Sequence, residues 1–557
     1  MKRGSTRKLG RRSFLKRAMA TAPLMLVGPS LLKPARALAH QGLAPSTTTE
    51  PYLLPTLSGV RTVPILTVGD TIHGYRMVGI PDGLGAFNSD HDDFTLIMNH
   101  ELPATTGIAR AHGSKGAFVS RWKIDRRTLE VLKGEDFTPS ADKVFLWDTA
   151  TEKYVPRTTV WERHCSGDLP KQGAFWHQGK GTLERIYMNG EEVSHGRAWA
   201  RIATGPHAGE AWQLPRFGHM AYENAVASPH PQPKTVVMLT DDGALSTAPI
   251  ASAFPSEVYC YVGTKTNRGS TIDRAGLTNG NLYGLKISVG GQAVPEESNE
   301  FGLGNATSGF AGAGRFSLHD FGDVSGLDAL ALEQASIAAG VTRFQRPEDG
   351  AWDPRKRNHD DLYFVTTASL ALNCRLWRLR FDDVERPELG GTIQMLLKGT
   401  EGHGMLDNVT IDRLGRIVMD EDPGNNARVS KVWAYQISTG EFLEVAHHNP
   451  AFFDPTQSGT PAFITQDEET SGIIDAAHIL GPGWFLLDVQ AHKPSTDTEL
   501  VEGGQLLALF IDPDIAAPDR DKHEHGRDHD DDNHDDDDRD DDKDRGVDRD
   551  DVVAAMK

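Results

Sequence analysis

Cysteine is scarce in this chain: Cys165, Cys260 and Cys374 are the three thiols in 557 residues. Three thiols cannot build a disulfide framework, and an odd number leaves at least one for other chemistry. Cys260 and Cys374 each sit in a strand-like run (VYCYVG and NCRLW), and the sequence leaves open whether they pair. Cys165 stands apart, between His164 and Ser166-Gly167. The apolar run at residues 18–32 is broken by Pro23 and Pro29. It falls short of the ~20 apolar residues of a membrane-spanning helix, which argues against a stable anchor. Beyond the first 39 residues there is no basic stripe, so nucleic acid is not an expected partner. GxSxG, HExxH and a phosphate-cradling glycine loop are all missing, which removes support for a serine hydrolase, a zincin protease or a P-loop NTPase. Helical periodicity is scarce as well; residues 326–340 (GLDALALEQASIAAG) carry the clearest case and read as an insertion.

The two ends of the chain read as separate from the fold. Arg11-Arg12-Ser13-Phe14-Leu15-Lys16 is a twin-arginine signature, followed by the short apolar run and by Ala37-Leu38-Ala39 as a cleavage site. Residues 1–39 are therefore expected to be an export signal read by the bacterial twin-arginine translocase, with a periplasmic or extracellular destination. That route carries folded proteins and suits a metal centre loaded before export. Removing the ten basic residues of this segment takes the formal charge from −20 to −30. Residues 519–551 hold 18 acidic and 7 basic residues. With so little apolar surface to bury, the segment 516–557 is expected to be a disordered, solubilising tail rather than a calcium collector.

Between these ends, residues 40–515 repeat one pattern six times. A polar residue opens a short, partly apolar run, and a strand ending in polar groups follows. The openers are Asp82, Cys165, Glu223, Glu348, Asp407 and Glu469. The following strands are expected at residues 96–101, 186–192, 236–242, 362–367, 416–422 and 484–488, each with a third, mostly alternating strand behind it. Six like-built β units predict an all-β fold, a six-bladed β-propeller with long inter-blade insertions and little helix. A pair of β-sandwiches is the runner-up, but it gives no reason for polar openers to recur at equivalent places.

In a propeller the openers converge on one channel. The neighbouring strand ends add a second tier: Asn99 and Glu101, Glu191 and Glu192, Asp241 and Asp242, Asp420 and Asp422, and Asp488. Crowded carboxylates force one another's pKa upward unless cations sit among them. Many oxygen ligands suit Ca²⁺, whereas one soft thiolate suits iron or zinc. Isolated histidines such as His73, His219, His403 and His478 read as structural. Arg346, two residues before Glu348, and Arg163, two before Cys165, are placed to meet an anion, because the guanidinium fork matches phosphate oxygens.

At these residues the chain resembles the PhoX-type alkaline phosphatases. The likeness lies in Asn99-His100-Glu101, Cys165-Ser166-Gly167-Asp168-Leu169, Gly190-Glu191-Glu192, Glu223-Asn224-Ala225, Asp241-Asp242, Arg346-Pro347-Glu348-Asp349-Gly350, Asp407-Asn408, Thr470-Ser471-Gly472-Ile473-Ile474-Asp475 and Leu487-Asp488-Val489-Gln490-Ala491-His492. The resemblance implies a propeller whose centre combines Ca²⁺ with Fe³⁺ and hydrolyses phosphomonoesters. It implies Cys165 as an iron ligand, with Glu223 and Glu348 serving iron and calcium. Glu191 or Glu192, Asp242 and Asp407 would serve Ca²⁺, and Arg346 would hold the phosphate. Glu101, Asp420 and Glu469 complete the expected metal ligands, and Arg346, Cys165, Glu223 and Glu348 the expected catalytic set. One departure is plain: the Glu191-Glu192 pair follows Met188-Asn189-Gly190, where the phosphatases have a Thr-Cys dipeptide in a Trp-rich segment.

The expectation is thus a secreted, metal-dependent phosphomonoesterase, monomeric, acting on small phosphate esters. A non-catalytic calcium-binding propeller and a Ca²⁺-dependent esterase or lactonase are the alternatives.

Overall fold

The computed structural model describes residues 42–243, 256–297, 314–367 and 373–518. The export signal and the acidic tail from residue 519 onward lie outside the described residues.

Period-two alternation along the chain becomes a series of antiparallel meanders arranged radially. Their first strands are Pro81–Asn88, Gly167–Asp168, Tyr222–Ala227, Pro347–Trp352, Leu406–Ile411 and Glu468–Asp475. Each of these touches the next, and the last touches the first, so they close into a ring around a channel. The chain is a β-propeller, and the meanders are called blades 1 to 6 here in chain order. All six openers lie in or beside these innermost strands. Cys165 differs in preceding its two-residue strand rather than lying within it.

Two blades borrow strands from the N-terminal side. Leu53–Pro55 edges blade 5 against Phe442–His448, and Val60–Thr67 pairs with Gly503–Ile511 as the outer strand of blade 6. Closing the ring with an early segment ties the two ends of the folded region together. Blades 3 and 4 share one continuous sheet, because Gly314–Gly322 pairs with Gly391–Leu397 along their outer edges. The alternating apolar residues face between blades. One cluster joins Met188, Ala200, Leu239 and Tyr261, and another joins Val418, Val432, Phe485 and Leu507.

The expected helical insertion is present as Ala329–Ala339, between blades 3 and 4. Asp328 caps its start by accepting from the Ala331 N–H, and Gly340 ends it in the left-handed conformation. Among the described residues no helix is long and apolar enough to cross a membrane. Cys260 and Cys374 are both free and buried, so no disulfide joins them. The blade 6 strand expected at residues 484–488 runs on to Ala491, because Asp488 and Gln490 are buried in the sheet rather than ending it.

Candidate metal centre

One hydrogen bond recurs in all six blades. The carbonyl two residues before each opener accepts the N–H of a residue just past the end of, or closing, the second strand. The pairs are Glu101 to Ile80, Glu192 to Arg163, Asp242 to Ala221, Thr367 to Arg346, Asp422 to Met405 and His492 to Asp467, at 2.8–2.9 Å. This bond places the second tier beside the openers at equivalent positions. Glu101, Glu192, Asp242 and Asp422 were expected there; Thr367 and His492 fill the remaining places, so His492 replaces Asp488 as the blade 6 member.

The backbone around these positions is bent to aim the side chains. Ile80, Arg163, Arg346 and Met405, each two residues before an opener, have φ of 50°, 43°, 57° and 47°. Left-handed backbone is uncommon for such residues and persists where surrounding structure holds it. Register shifts interrupt the innermost strands beside Asp82, around Glu223, across Glu348-Asp349 and Asp407-Asn408, and after Ser471. Such bulges turn side chains off the strand's regular alternation.

The result is a chain of four overlapping groups, in each of which ligand atoms lie within 4.8 Å of one another: Asp82, Glu101 and Cys165; Cys165, Glu192 and Glu223; Glu223, Glu348 and Asp407; Asp407, Asp422 and Glu469. All six openers take part. Cys165, Glu223 and Asp407 are the shared links. The Cys165 thiol donates to Asp82 Oδ2 at 3.3 Å. Beneath it, Asn99 Nδ2 donates to the Cys165 carbonyl at 2.6 Å, and Ser166 donates to Glu223.

Three basic side chains face this ring. Arg163 bonds Glu192 and lies 2.8 Å from Glu101. Arg346 bonds Asp242 through two nitrogens and reaches Glu348 at 3.1 Å. His492 sits between Glu502, at 2.7 Å, and Glu469, at 3.5 Å.

Eight carboxylates and a thiol therefore outnumber the facing cations, and the electrostatics follow. Burial, then the neighbouring carboxylates, pushes Asp82 and Asp407 well above the usual carboxylate range. Burial likewise raises Glu192 and Glu348 despite their arginines, and raises the Cys165 thiol. Glu223 is pushed up to about 8, chiefly by burial. Glu469 goes the other way: burial opposes it, but the His492 hydrogen bond and charge hold it low.

Among the described residues, Asp407 Oδ1, Asp420 Oδ2, both oxygens of Asp488 and Gln490 Oε1 are buried with no hydrogen-bond partner. Buried acceptors without donors call for a compensating charge. The donor set fits a metal centre: many hard oxygens, with one soft sulfur at a single corner.

Three expected ligands stand outside the four groups. Glu191 turns away from the channel and is bound by Arg197, with Nε–Oε2 at 2.6 Å and Nη2–Oε1 at 2.8 Å. Its carboxylate is already neutralised, so of the pair it is Glu192 that meets Cys165. Asp420 accepts the Asn408 N–H at 2.9 Å. Asp242 is occupied by Arg346. Asp422 joins a group and was visible in the sequence only as a strand-end carboxylate. The isolated histidines read as structural lie outside the groups.

No protein-family profile matches the chain, and a search of curated proteins finds no relative. Among solved structures the chain is similar to PhoX of Pseudomonas fluorescens in complex with vanadate, a transition state analogue. The TM-score is 0.55 at 13% identity, covering 86% of this chain and 99% of that one. It is also matched to the GH93 α-L-arabinofuranosidase of Fusarium graminearum with arabinobiose, at TM-score 0.37, 9% identity and coverage of 80% and 97%. The β-propeller domain of the trilobed protease from Pyrococcus furiosus matches at TM-score 0.23, 10% identity and coverage of 66% and 96%. The likeness to PhoX is distant and is one of fold; the other two scores are too low to argue from.

Proposed function

We propose that the protein is an exported, metal-dependent phosphomonoester hydrolase, related in design to the PhoX-type phosphatases. The observation that carries this reading is the chain of four ligand groups with Arg346 at its edge. Cys165, with Glu192 and Glu223, would hold iron. Asp82, Glu101, Glu348, Asp407, Asp422 and Glu469 offer oxygen ligands suited to Ca²⁺. When bound, these metals would polarise the phosphoryl group and stabilise the departing oxygen.

The chain's own residues bind and orient the substrate. Arg346 gives Nε and Nη2 to Asp242 and keeps Nη1 for a phosphoryl oxygen. Its side chain is 38% exposed, while Glu348 beside it is buried, so it is the part of this pair that an incoming anion meets first. Arg163, 44% exposed, serves the same rim on the Cys165 side. PhoX was solved with vanadate, an oxyanion of the shape and charge that such a rim would accept. The substrates are small phosphate esters, and the twin-arginine signature assigns the work to the periplasm or beyond.

The test uses purified full-length protein exported by its own signal. Hydrolysis of p-nitrophenyl phosphate that disappears with chelator supports the reading. Faster hydrolysis of p-nitrophenyl acetate would instead make the protein an esterase. Bound calcium without turnover of either substrate would make it a non-catalytic propeller.

A further inference from the structure

Five of the six openers are the second residue of their innermost strand: Asp82 in Pro81–Asn88, Glu223 in Tyr222–Ala227, Glu348 in Pro347–Trp352, Asp407 in Leu406–Ile411 and Glu469 in Glu468–Asp475. Their backbone is part of a strand of six or eight residues that pairs with the strand behind it. Cys165 is placed differently. Its strand is Gly167–Asp168, which pairs with Ile186–Gly190 at two positions, Gly167 opposite Asn189 and Asp168 opposite Met188. Cys165 stands two residues ahead of that ladder, so the sheet does not fix it.

Arg201 reaches it from behind. It lies in the blade 2 strand Ala198–Ile202, opposite Tyr187, and is fully buried. Side chains two apart on a strand share a face, so Arg201 shares one with Tyr187 and Asn189. Its Nε donates to Asn189 Oδ1 at 3.0 Å, and Asn189 Nδ2 donates to Asn99 Oδ1 of blade 1 at 3.0 Å. Asn99 Nδ2 in turn donates to the carbonyls of Cys165, at 2.6 Å, and of Ser166, at 3.2 Å. In the other direction, Arg201 Nη2 lies 2.7 Å from His164 Nε2. A guanidinium has only donors, so Nε2 accepts, and the His164 Nδ1–H donates to the Gly190 carbonyl at 2.9 Å. The Trp161 ring lies 4.2 Å from Arg201 Cζ and supports the charge from one face. A buried cation is costly without an anion beside it, and burial lowers this guanidinium to about 9. Its two side-chain partners are nevertheless neutral, and both lead to the peptides around Cys165.

We propose that Arg201 is the positioning residue of Cys165: its guanidinium holds residues 164–166 from two sides, through His164 and through Asn189 and Asn99. It does for the thiol what the strand ladder does for the other five openers. The inference rests on the reading of Cys165 as an iron ligand, because groups that hold a ligand from behind set how it is offered to a metal. Arg201 belongs to none of the four ligand groups, so it acts only through these intermediates. A planar fork sends donors in two fixed directions at once, which a lysine cannot do.

The three buried thiols supply the test, because Cys260 and Cys374 report any loosening of the fold as a whole. Full-length, chelator-treated protein is alkylated with iodoacetamide and each cysteine is followed by mass spectrometry. Arg201→Lys keeps the charge and loses the fork. Its Cys165 is expected to react about tenfold faster than in the wild type, the scale of a charged hydrogen bond lost in a local opening, with Cys260 and Cys374 still protected. A Cys165 rate equal to wild type, or one that rises only in step with Cys260 and Cys374, overturns the proposal. Should the Arg201 variant not fold, Asn189→Ala, which cuts the Asn99 arm alone, is read in the same way and by the same criteria. Iron loaded into wild type and Arg201→Lys gives a second readout: the thiolate-to-iron absorption should shift in the variant, and an unshifted band overturns the proposal. Alkylation needs no metal, so the two readings fail separately. Wild-type protein that binds no iron would end the iron reading of Cys165, while the alkylation pattern still tells whether Arg201 holds it in place.

Discussion

Arg346 and Asp242 are joined by two parallel hydrogen bonds, Nε to Oδ1 at 2.8 Å and Nη2 to Oδ2 at 2.7 Å. The pair crosses from blade 4 to blade 3, and the same guanidinium reaches Glu348. A planar fork held this way is pre-aimed, which a lysine cannot reproduce. Replacing Arg346 with Ala should lower kcat/KM for p-nitrophenyl phosphate by roughly 10²–10³-fold, the effect of removing one donor that faces developing negative charge. Arg346→Lys should recover only part of that loss. An alanine variant with wild-type kcat/KM would remove Arg346 from substrate binding.

Glu191 and Glu192 are adjacent but do different work. Glu191 belongs to the fold through Arg197, whereas Glu192 belongs to the ring through its approach to Cys165 and Glu223. Glu191→Gln should destabilise the protein by about 2 kcal/mol, the scale of a charged hydrogen bond lost, and leave metal content unchanged. Glu192→Gln should leave stability in the metal-free state equal or higher and reduce bound metal. Urea unfolding and elemental analysis of the two proteins read this directly, and equal metal loss in both would contradict the division.

How far the sequence went can be judged from these same positions. The openers were legible because each is a polar residue that opens a short, partly apolar run, a local signal that needs no tertiary knowledge. The second tier was harder. Glu191 and Glu192 could not be separated, since the choice depends on Arg197 arriving from the neighbouring strand. In blade 6, Asp488 looked like a strand end because a charge follows WFLL, yet the strand buries Asp488 and Gln490 and continues to Ala491. His492 was hidden as a second-tier residue for that reason. The left-handed backbone at Ile80 and Met405 has no local sequence signal, because the bond that goes with it reaches Glu101 or Asp422 at the far end of the second strand. Blades 3 and 4 joining at their outer edges was equally invisible, since the strands concerned are distant in sequence.

Met405 offers a test of the backbone device. Its φ of 47° lets its carbonyl take the Asp422 N–H at 2.9 Å and keeps Asp407 aimed at the channel. A β-branched side chain is poorly tolerated in that conformation. Met405→Val should cost roughly 1–3 kcal/mol of stability, while Met405→Asn should be close to neutral. If the valine variant is as stable as wild type in urea, the left-handed residue is not required for the repeat.

The last prediction concerns pH. Asp82, Glu192, Glu348, Asp407 and Asp422 are all held well above their ordinary values in the folded chain, and Glu223 is raised to about 8. For an acid whose folded pKa is raised, the folded state keeps its proton while the unfolded state releases it. Stability is then greatest below the unfolded pKa, near 4, and falls as pH climbs through the folded value. Glu469 and His492 work in the opposite direction. The Glu469 carboxyl is lowered and His492 is raised to about 11, so their contact favours folding at neutral pH. The raised acids outnumber that pair. Metal-free protein should therefore lose stability steadily between about pH 4 and pH 8. Cations held by the same carboxylates would replace their protons and flatten or reverse that slope. Urea midpoints measured across this range, with chelator and with added calcium, provide the comparison. A metal-free protein that grows more stable from pH 4 to pH 8 would mean that the carboxylates are not crowded in the way the channel geometry requires.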